Sequence, residues 1–185
     1  QSPKDMLTGS STKIASNYYQ VKIGGDLAAI KGIIKAVIDN GEIDREFIAE
    51  HTSGFDLFLA EIQAESWQLI VEQSGLSKAQ LEEAAAIYNA SKASIFCWGM
   101  GITQHRRSVA TIQMLMNCLL LKGNIGRPGA GPCPVRGHSN VQGDRTMGIY
   151  EKPGAEFLDR LAKEFDFEPP RNHGYDVVAS IEAMM

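Results

Sequence analysis

The sequence predicts an α/β fold, a Rossmann-like layered domain rich in helix and holding a small parallel sheet. Two observations carry that reading. The order strand, glycine turn, helix occurs twice, around Gly24-Gly25-Asp26 and around Gly99-Met100-Gly101. The second unit opens on Ser94-Ile95-Phe96-Cys97-Trp98, a compact apolar run bounded by Gly99, the pattern of a buried parallel strand. No internal repeat is visible.

The elements follow in order. Residues 1–17 are polar and small and form a lead-in loop. Tyr19, Val21 and Ile23 alternate with polar neighbours, which predicts a first strand over 18–23, parallel to 94–98. Leu27, Ile30, Ile33, Ile34, Val37 and Ile38 then define one face of a helix ending near Gly41, with Asp26 as its N-cap. Short helices are expected around Asp44 to Glu50 and Ser66 to Glu72. Ser77 and Gln80 have capping-box spacing before a helix that carries Leu81, Ala84, Ala85 and Tyr88 on one face. Val109, Ile112, Leu115, Met116, Leu119 and Leu120 mark another helix, closed by Gly123.

Ten of the 18 glycines and four of the seven prolines fall between Gly99 and Gly154. Residues 123–154 therefore read as one long loop, and Ile125, Val135, Arg136, Val141 and Arg145 argue that it orders against a partner. A helix with Phe157, Leu158, Leu161 and Phe165 follows. Val177, Val178, Ile181, Met184 and Met185 keep helical spacing to the last residue, with no stop signal after them. The chain also begins at Gln1. We expect one domain over 1–185, excised from a larger multidomain protein.

With 185 residues, 44% apolar and 22% charged, the chain can bury a real core. A net charge of −4 lacks the basic footprint of a nucleic-acid binder. No apolar run approaches the ~20 residues of a membrane helix. Cys97, Cys118 and Cys133 are odd in number, widely spaced and without a CxxC pair, so zinc and iron–sulfur ligation have no support. Such sparse cysteines fit a reducing compartment, the cytoplasm.

Trp98-Gly99-Met100-Gly101-Ile102-Thr103-Gln104 invites a nicotinamide-dinucleotide reading, but Gln104 stands where the third glycine belongs. The acid expected about 20 residues on is also missing. No Walker A pattern is present. A helix N-terminus after a glycine turn still offers unpaired N–H groups and a positive dipole end to phosphate or a base edge. Asp26 can accept two hydrogen bonds from a guanine, and Gln104 can both donate and accept; equally, Asp26 can serve only as a cap. Arg136, in Pro134-Val135-Arg136-Gly137-His138, offers a permanently charged fork to a small anion, or braces the loop through carbonyls. His138 and His105 are candidate acid–base groups, or hydrogen-bonded structural histidines. His51 and His173 read as surface residues.

Three ordered segments, Cys97 to His105, Leu121 to Gly131 and Pro134 to Gly143, together with the Ile23 to Asp26 turn, resemble molybdopterin oxidoreductases of the dimethyl sulfoxide reductase superfamily. Among these the formate-dehydrogenase-like α subunits are most similar. The resemblance implies molybdenum or tungsten held by two pyranopterin guanine dinucleotides. It implies that Gly24, Gly25 and Asp26 contact the nucleotide, that the Gly99-Met100-Gly101 turn and Gln104 also bind the cofactor, and that Arg136 orients formate. Formate dehydrogenases typically carry glutamine and asparagine where this chain has His138 and Ser139. The metal's protein ligand, and any iron–sulfur cluster, would lie in other parts of the enzyme. The implied partners are those remaining domains, a small anionic substrate and an electron-transfer partner. The piece alone is expected to have no turnover. The competing reading is a non-catalytic α/β binding or interaction module that keeps the fold without cofactor.

Overall fold

A computed structural model describes residues 14–135, 137–138 and 141–185. The chain divides into two compact units, one through Val135 and one from Arg136 onward. The first holds α1 (Asp26–Asp39), α2 (Arg45–His51), α3 (Phe55–Ala64), α4 (Trp67–Ser74), α5 (Lys78–Ala90), β1 (Ile95–Trp98), α6 (Met100–Thr103), α7 (Ser108–Leu121) and β2 (Gly131–Pro134). The second holds α8 (Val141–Thr146), α9 (Ala155–Phe165) and α10 (Val177–Met184). Helix far exceeds strand, and the sheet is a parallel pair, as the α/β reading expects. Among the described residues no helix is long and apolar enough to cross a membrane.

Helix α1 is the organising element of the first unit. Ile34, Ala36 and Val37 pack with Ile48 of α2, Ile62 of α3, Ala85 and Tyr88 of α5, and Cys118 and Leu121 of α7. Nearer its N-terminus it meets Ile70, Leu76 and Leu81 through Ala29. Gly32 marks the tightest approach, where an added Cβ would sit 2.8 Å from Ile70 and from Leu81. Lys35 is buried with its charge answered, because Nζ donates to the Ile62 and Gln63 carbonyls at the end of α3 (3.1 and 2.8 Å). Ile62 O also accepts from Glu65 N–H (3.3 Å), so the lysine adds a further donor at the end of α3.

Four sequence expectations change. Residues 18–23 are not a strand. Tyr19 and Val21 alternate because they lie on the Ala29, Ile70, Leu76 and Leu81 cluster, while Ile23 is fully exposed. Lys22 N–H donates to the Ser74 carbonyl (2.8 Å), an extended segment held on helices instead of in a ladder. Asp26 is not the N-cap; Gly25 takes that position, and Asp26 opens the first turn, where its carboxylate complements the helix dipole. The strand beside β1 comes from the predicted long loop: Ile95 pairs with Gly131 and Trp98 with Pro134. Gly131 N–H donates to Ser94 O and Val135 N–H to Trp98 O (3.0 and 2.7 Å). Pro132 and Pro134, which cannot donate, occupy the alternate positions, an arrangement an edge strand tolerates. Finally, β1 is not buried on both faces, since Ile95 is 55% exposed. Helix α3 adds an element; its signal was Phe55, Phe58 and Ile62, spaced three and four apart after Gly54.

The helices near Asp44, Ser66, Ser77 and Val109 stand as expected, and the Ser77–Gln80 capping box is complete. In the second unit Leu158 is the buried residue of α9, and Arg171 pairs with Asp159 and Glu168 (2.5 and 2.7 Å).

A buried polar junction joins α5, α7 and β1. Tyr88 Oη donates to Cys118 O (2.8 Å) and accepts from Asn124 Nδ2 (2.9 Å). Asn124 Oδ1 accepts from Ser94 N–H (3.3 Å) and Arg127 Nη2 (2.7 Å). Desolvation by burial is the main reason the Tyr88 hydroxyl titrates far above the ordinary tyrosine range. Asn124→Ala strands several of these groups and should cost about 1–3 kcal/mol, read as a lower urea midpoint at unchanged m. Tyr88→Phe should cost a similar amount, and the double variant less than the two together. Full additivity would mean the groups act independently.

The glycine turn before α1 gives a second prediction. Gly24 has φ +76° with open space around it, whereas a Cβ on Gly25 would lie 2.7 Å from Gln73 O and 3.0 Å from Lys22 O and Ser74 O. Gly24→Ala should cost about 1–2 kcal/mol through backbone strain alone. Gly25→Ala must push rigid carbonyls apart and should be the more destabilising in thermal unfolding; the reverse order would place the tight approach elsewhere.

Candidate functional site

The Gly24 turn and the segment that follows the Gly99 turn, from Ile102 to Thr111, meet around one cleft. It has a volume of ≈180 Å³ and is lined by Gly24, Asp26, Ile102, His105, Arg106, Arg107 and Thr111. The first wall is the start of α1. Gly25 is buried against the end of α4, which presents Gly24 and the half-buried Asp26 at the cleft. The second wall is the connection from β1 to α7. Gly99 begins a single helical turn, with Thr103 N–H on Gly99 O and Gln104 N–H on Met100 O (3.3 and 3.0 Å). The chain then turns through His105 and the two arginines into α7, whose first turn is tied by Thr111 Oγ1 donating to Arg107 O (3.0 Å).

The electrostatics favour an anion. Helices α1 and α7 are 14 residues each, and both begin at the cleft. Their dipoles place partial positive charge there, and their first N–H groups point outward. Arg106 and Arg107 add two full charges, and among the described residues neither has an ion-pair partner. Asp26 supplies the opposite character, a carboxylate able to accept from a base's N–H groups. The cleft can therefore hold a phosphate beside a polar ring edge.

The sequence candidates fall into three groups. Gly24 and Asp26 line the cleft and Gly25 supports it from beneath. Gly99, Met100, Gly101 and Gln104 belong to the facing turn; Met100, Gly101 and Gln104 are exposed, and none of the four lines the cleft itself. His138 is exposed and belongs to the second unit, while Arg136 lies outside the described residues. Sequence reasoning missed Arg106, Arg107 and Thr111. Two consecutive arginines between a glycine turn and an apolar helix were the available signal, since that is where a helix N-terminus presents its N–H groups.

Another cavity, of ≈260 Å³, is lined by Ile48, Phe55, Phe58, Leu120 and Leu121, with Thr52, Ser53 and Asn117 as its polar side chains. It has no charged group. Among the described residues no three His, Cys, Asp or Glu gather as a metal site.

No family model matches the chain. It is 49% identical to protein YdeP of Escherichia coli O6:H1 over 194 aligned residues, which cover all of this chain and 26% of that protein. It is 44% identical to uncharacterized oxidoreductase Mb2924c of Mycobacterium bovis, over 96% of this chain and 24% of the relative. Formate dehydrogenase H of Escherichia coli K12 is 30% identical over 90% of this chain and 25% of its own length. Acetylene hydratase from Pelobacter acetylenicus shares the fold, with a TM-score of 0.58 at 21% identity over 63% of this chain and 16% of that one. The chain spans about a quarter of the length of the curated relatives it matches. It is related to oxidoreductases, and the formate dehydrogenase relative supports the molybdopterin-oxidoreductase-like relationship that its motifs imply.

Proposed function

We propose that residues 1–185 are the cofactor-binding domain of a bis(molybdopterin guanine dinucleotide) oxidoreductase, one that carries out a formate-dehydrogenase-like, two-electron oxidation of a small anion. The observation that carries this reading is the meeting of the Gly24 turn with the Ile102 to Thr111 segment at one cleft, with unpaired arginines and a half-buried acid.

The residues present fit a guanine dinucleotide arm. Arg106, Arg107 and the N-termini of α1 and α7 would hold its phosphates, and Asp26 would accept from the guanine N1–H and amino group. Gly24 and Gly25 let the backbone approach the ligand, while Met100 and Gln104 contact it from the facing turn. When bound, the molybdenum centre supplies the redox chemistry; the chain supplies position and field. Arg136 would hold the anion by a charged, planar fork, and His138, two residues on in sequence, would take or return a proton.

Binding is tested in the full-length protein by metal and guanine content. Asp26→Ala, Arg106→Ala and Arg107→Ala should each weaken retention roughly ten- to hundred-fold, because a hydrogen bond to a charged group contributes about 1.5–3 kcal/mol. Glu82→Ala, on the exposed side of α5, should leave content unchanged. Normal content in all three variants would reduce Asp26 to a dipole-matching residue and return the chain to a cofactor-free module.

Chemistry is tested at Arg136. Arg136→Lys keeps charge and loses the fork; Arg136→Ala loses both. With cofactor retained, kcat/KM for formate or a similar anion should fall from wild type to lysine to alanine, the alanine loss being about 2–4 kcal/mol. Full activity of the alanine variant would make Arg136 a loop brace.

A further inference from the structure

Two cysteines face each other on the sheet. In the β1–β2 register Cys97 is the direct partner of Cys133, and both are exposed. Neither contributes to the buried core, so packing gives no reason for a thiol at either position. Neighbouring strands run about 4.8 Å apart. That spacing lies inside the roughly 4.4–6.8 Å Cα range of disulfides.

The register cannot easily slip. Gly131 N–H and Val135 N–H hold β2 to β1 at both ends, and a one-residue shift would turn Pro132 and Pro134, which lack N–H groups, into the ladder. The same prolines fix φ on either side of Cys133, so little backbone freedom remains to be lost on cross-linking. Hydrogen bonding to Cys133 is the main reason Cys97 titrates above the ordinary thiol range, with desolvation and the Cys133 charge adding to it.

We propose that Cys97 and Cys133 are a reversible dithiol–disulfide couple that locks β2 to β1 when the thiol pool is oxidised. The oxidant is a small-molecule disulfide such as oxidised glutathione. One protein thiol loses its proton and attacks the oxidant's S–S bond, forming a mixed disulfide and releasing one glutathione thiolate. The second protein thiolate then attacks the protein sulfur of that mixed disulfide and expels the other glutathione. Two protein thiols lose two electrons and two protons, and the oxidant becomes two thiols. The lock joins the strand leading into Gly99 to the strand leading towards Arg136, and it stands whether or not the cleft holds a nucleotide.

The test uses the full-length protein in buffers of defined reduced-to-oxidised glutathione ratio, alkylated and mapped by mass spectrometry without reduction. The Cys97–Cys133 cross-linked peptide should grow with the oxidised fraction, form faster as pH rises towards the Cys97 pKa, and disappear with dithiothreitol. Cys97→Ser should leave Cys133 as a glutathione adduct, and Cys133→Ser the converse. Cys118, buried and pushed up to about 12 chiefly by desolvation, should stay a free thiol and serve as the internal control. Recovery of the wild-type pair as two separate thiols or separate adducts in the oxidised buffers, or cross-linked to other cysteines, would overturn the proposal.

Discussion

Apolar burial pulls helices together but does not aim them, because it is non-directional. In this chain the aiming falls to one side chain. Asn124 is 1% exposed and binds Tyr88 of α5, the N–H of Ser94 just before β1, and Arg127 on the way to β2. Its own N–H donates to Leu119 O at the end of α7 (2.9 Å). The end of one helix, the flank of another and the entries to both strands are thus referred to a single amide. An unpaired amide at that depth would cost more than any one of these bonds contributes, so the junction tolerates only one arrangement. Moving β1 would break it, and with β1 would go the turn that forms one wall of the cleft.

This explains which parts of the fold were legible in the sequence. Ser77 with Gln80, and the apolar spacing in α1, α5 and α7, are local signals, and local hydrogen bonds answer them. Tyr19 and Val21 misled because alternation records that one side is buried, without saying whether a strand or a helix lies beneath. The Gly-Pro-Cys-Pro of β2 looked like loop because proline is depleted from strands. It becomes a strand because both prolines fall at positions where no ladder donor is needed, a property of the register that no single-strand pattern contains. Asn124 was likewise hidden: an asparagine after Gly123 looks like a turn residue until its partners are known.

The site divides in the same way. Gly24, Gly25 and Asp26 were visible as a glycine turn at a helix start, and Gly99 to Gln104 as another, but that the first turn and the segment following the second share a cleft is a tertiary fact. Arg106 and Arg107 became candidates only when both lay on the cleft wall with no ion-pair partner among the described residues. The replacement of a third glycine by Gln104 is also physically coherent. In a dinucleotide fingerprint that glycine allows close helix–strand packing. Here the chain turns after Gln104 through His105 to Arg107 before α7 begins, which places basic side chains where the third glycine's helix would start.

Charge shows why global and local readings differ. A net charge of −4 is compatible with a small region where two arginines and two helix N-termini coincide. A uniformly basic surface would collect any polyanion, whereas one confined basic cleft discriminates by size and shape as well as by charge. Asp26 sharpens the choice further. In the proposed site, half-buried Asp26 would repel a bare phosphate that approaches too closely and favour a ligand that brings N–H donors to the same place. A ligand with phosphate at one end and a donor-rich ring at the other satisfies both halves of the cleft, and inorganic anions satisfy only one.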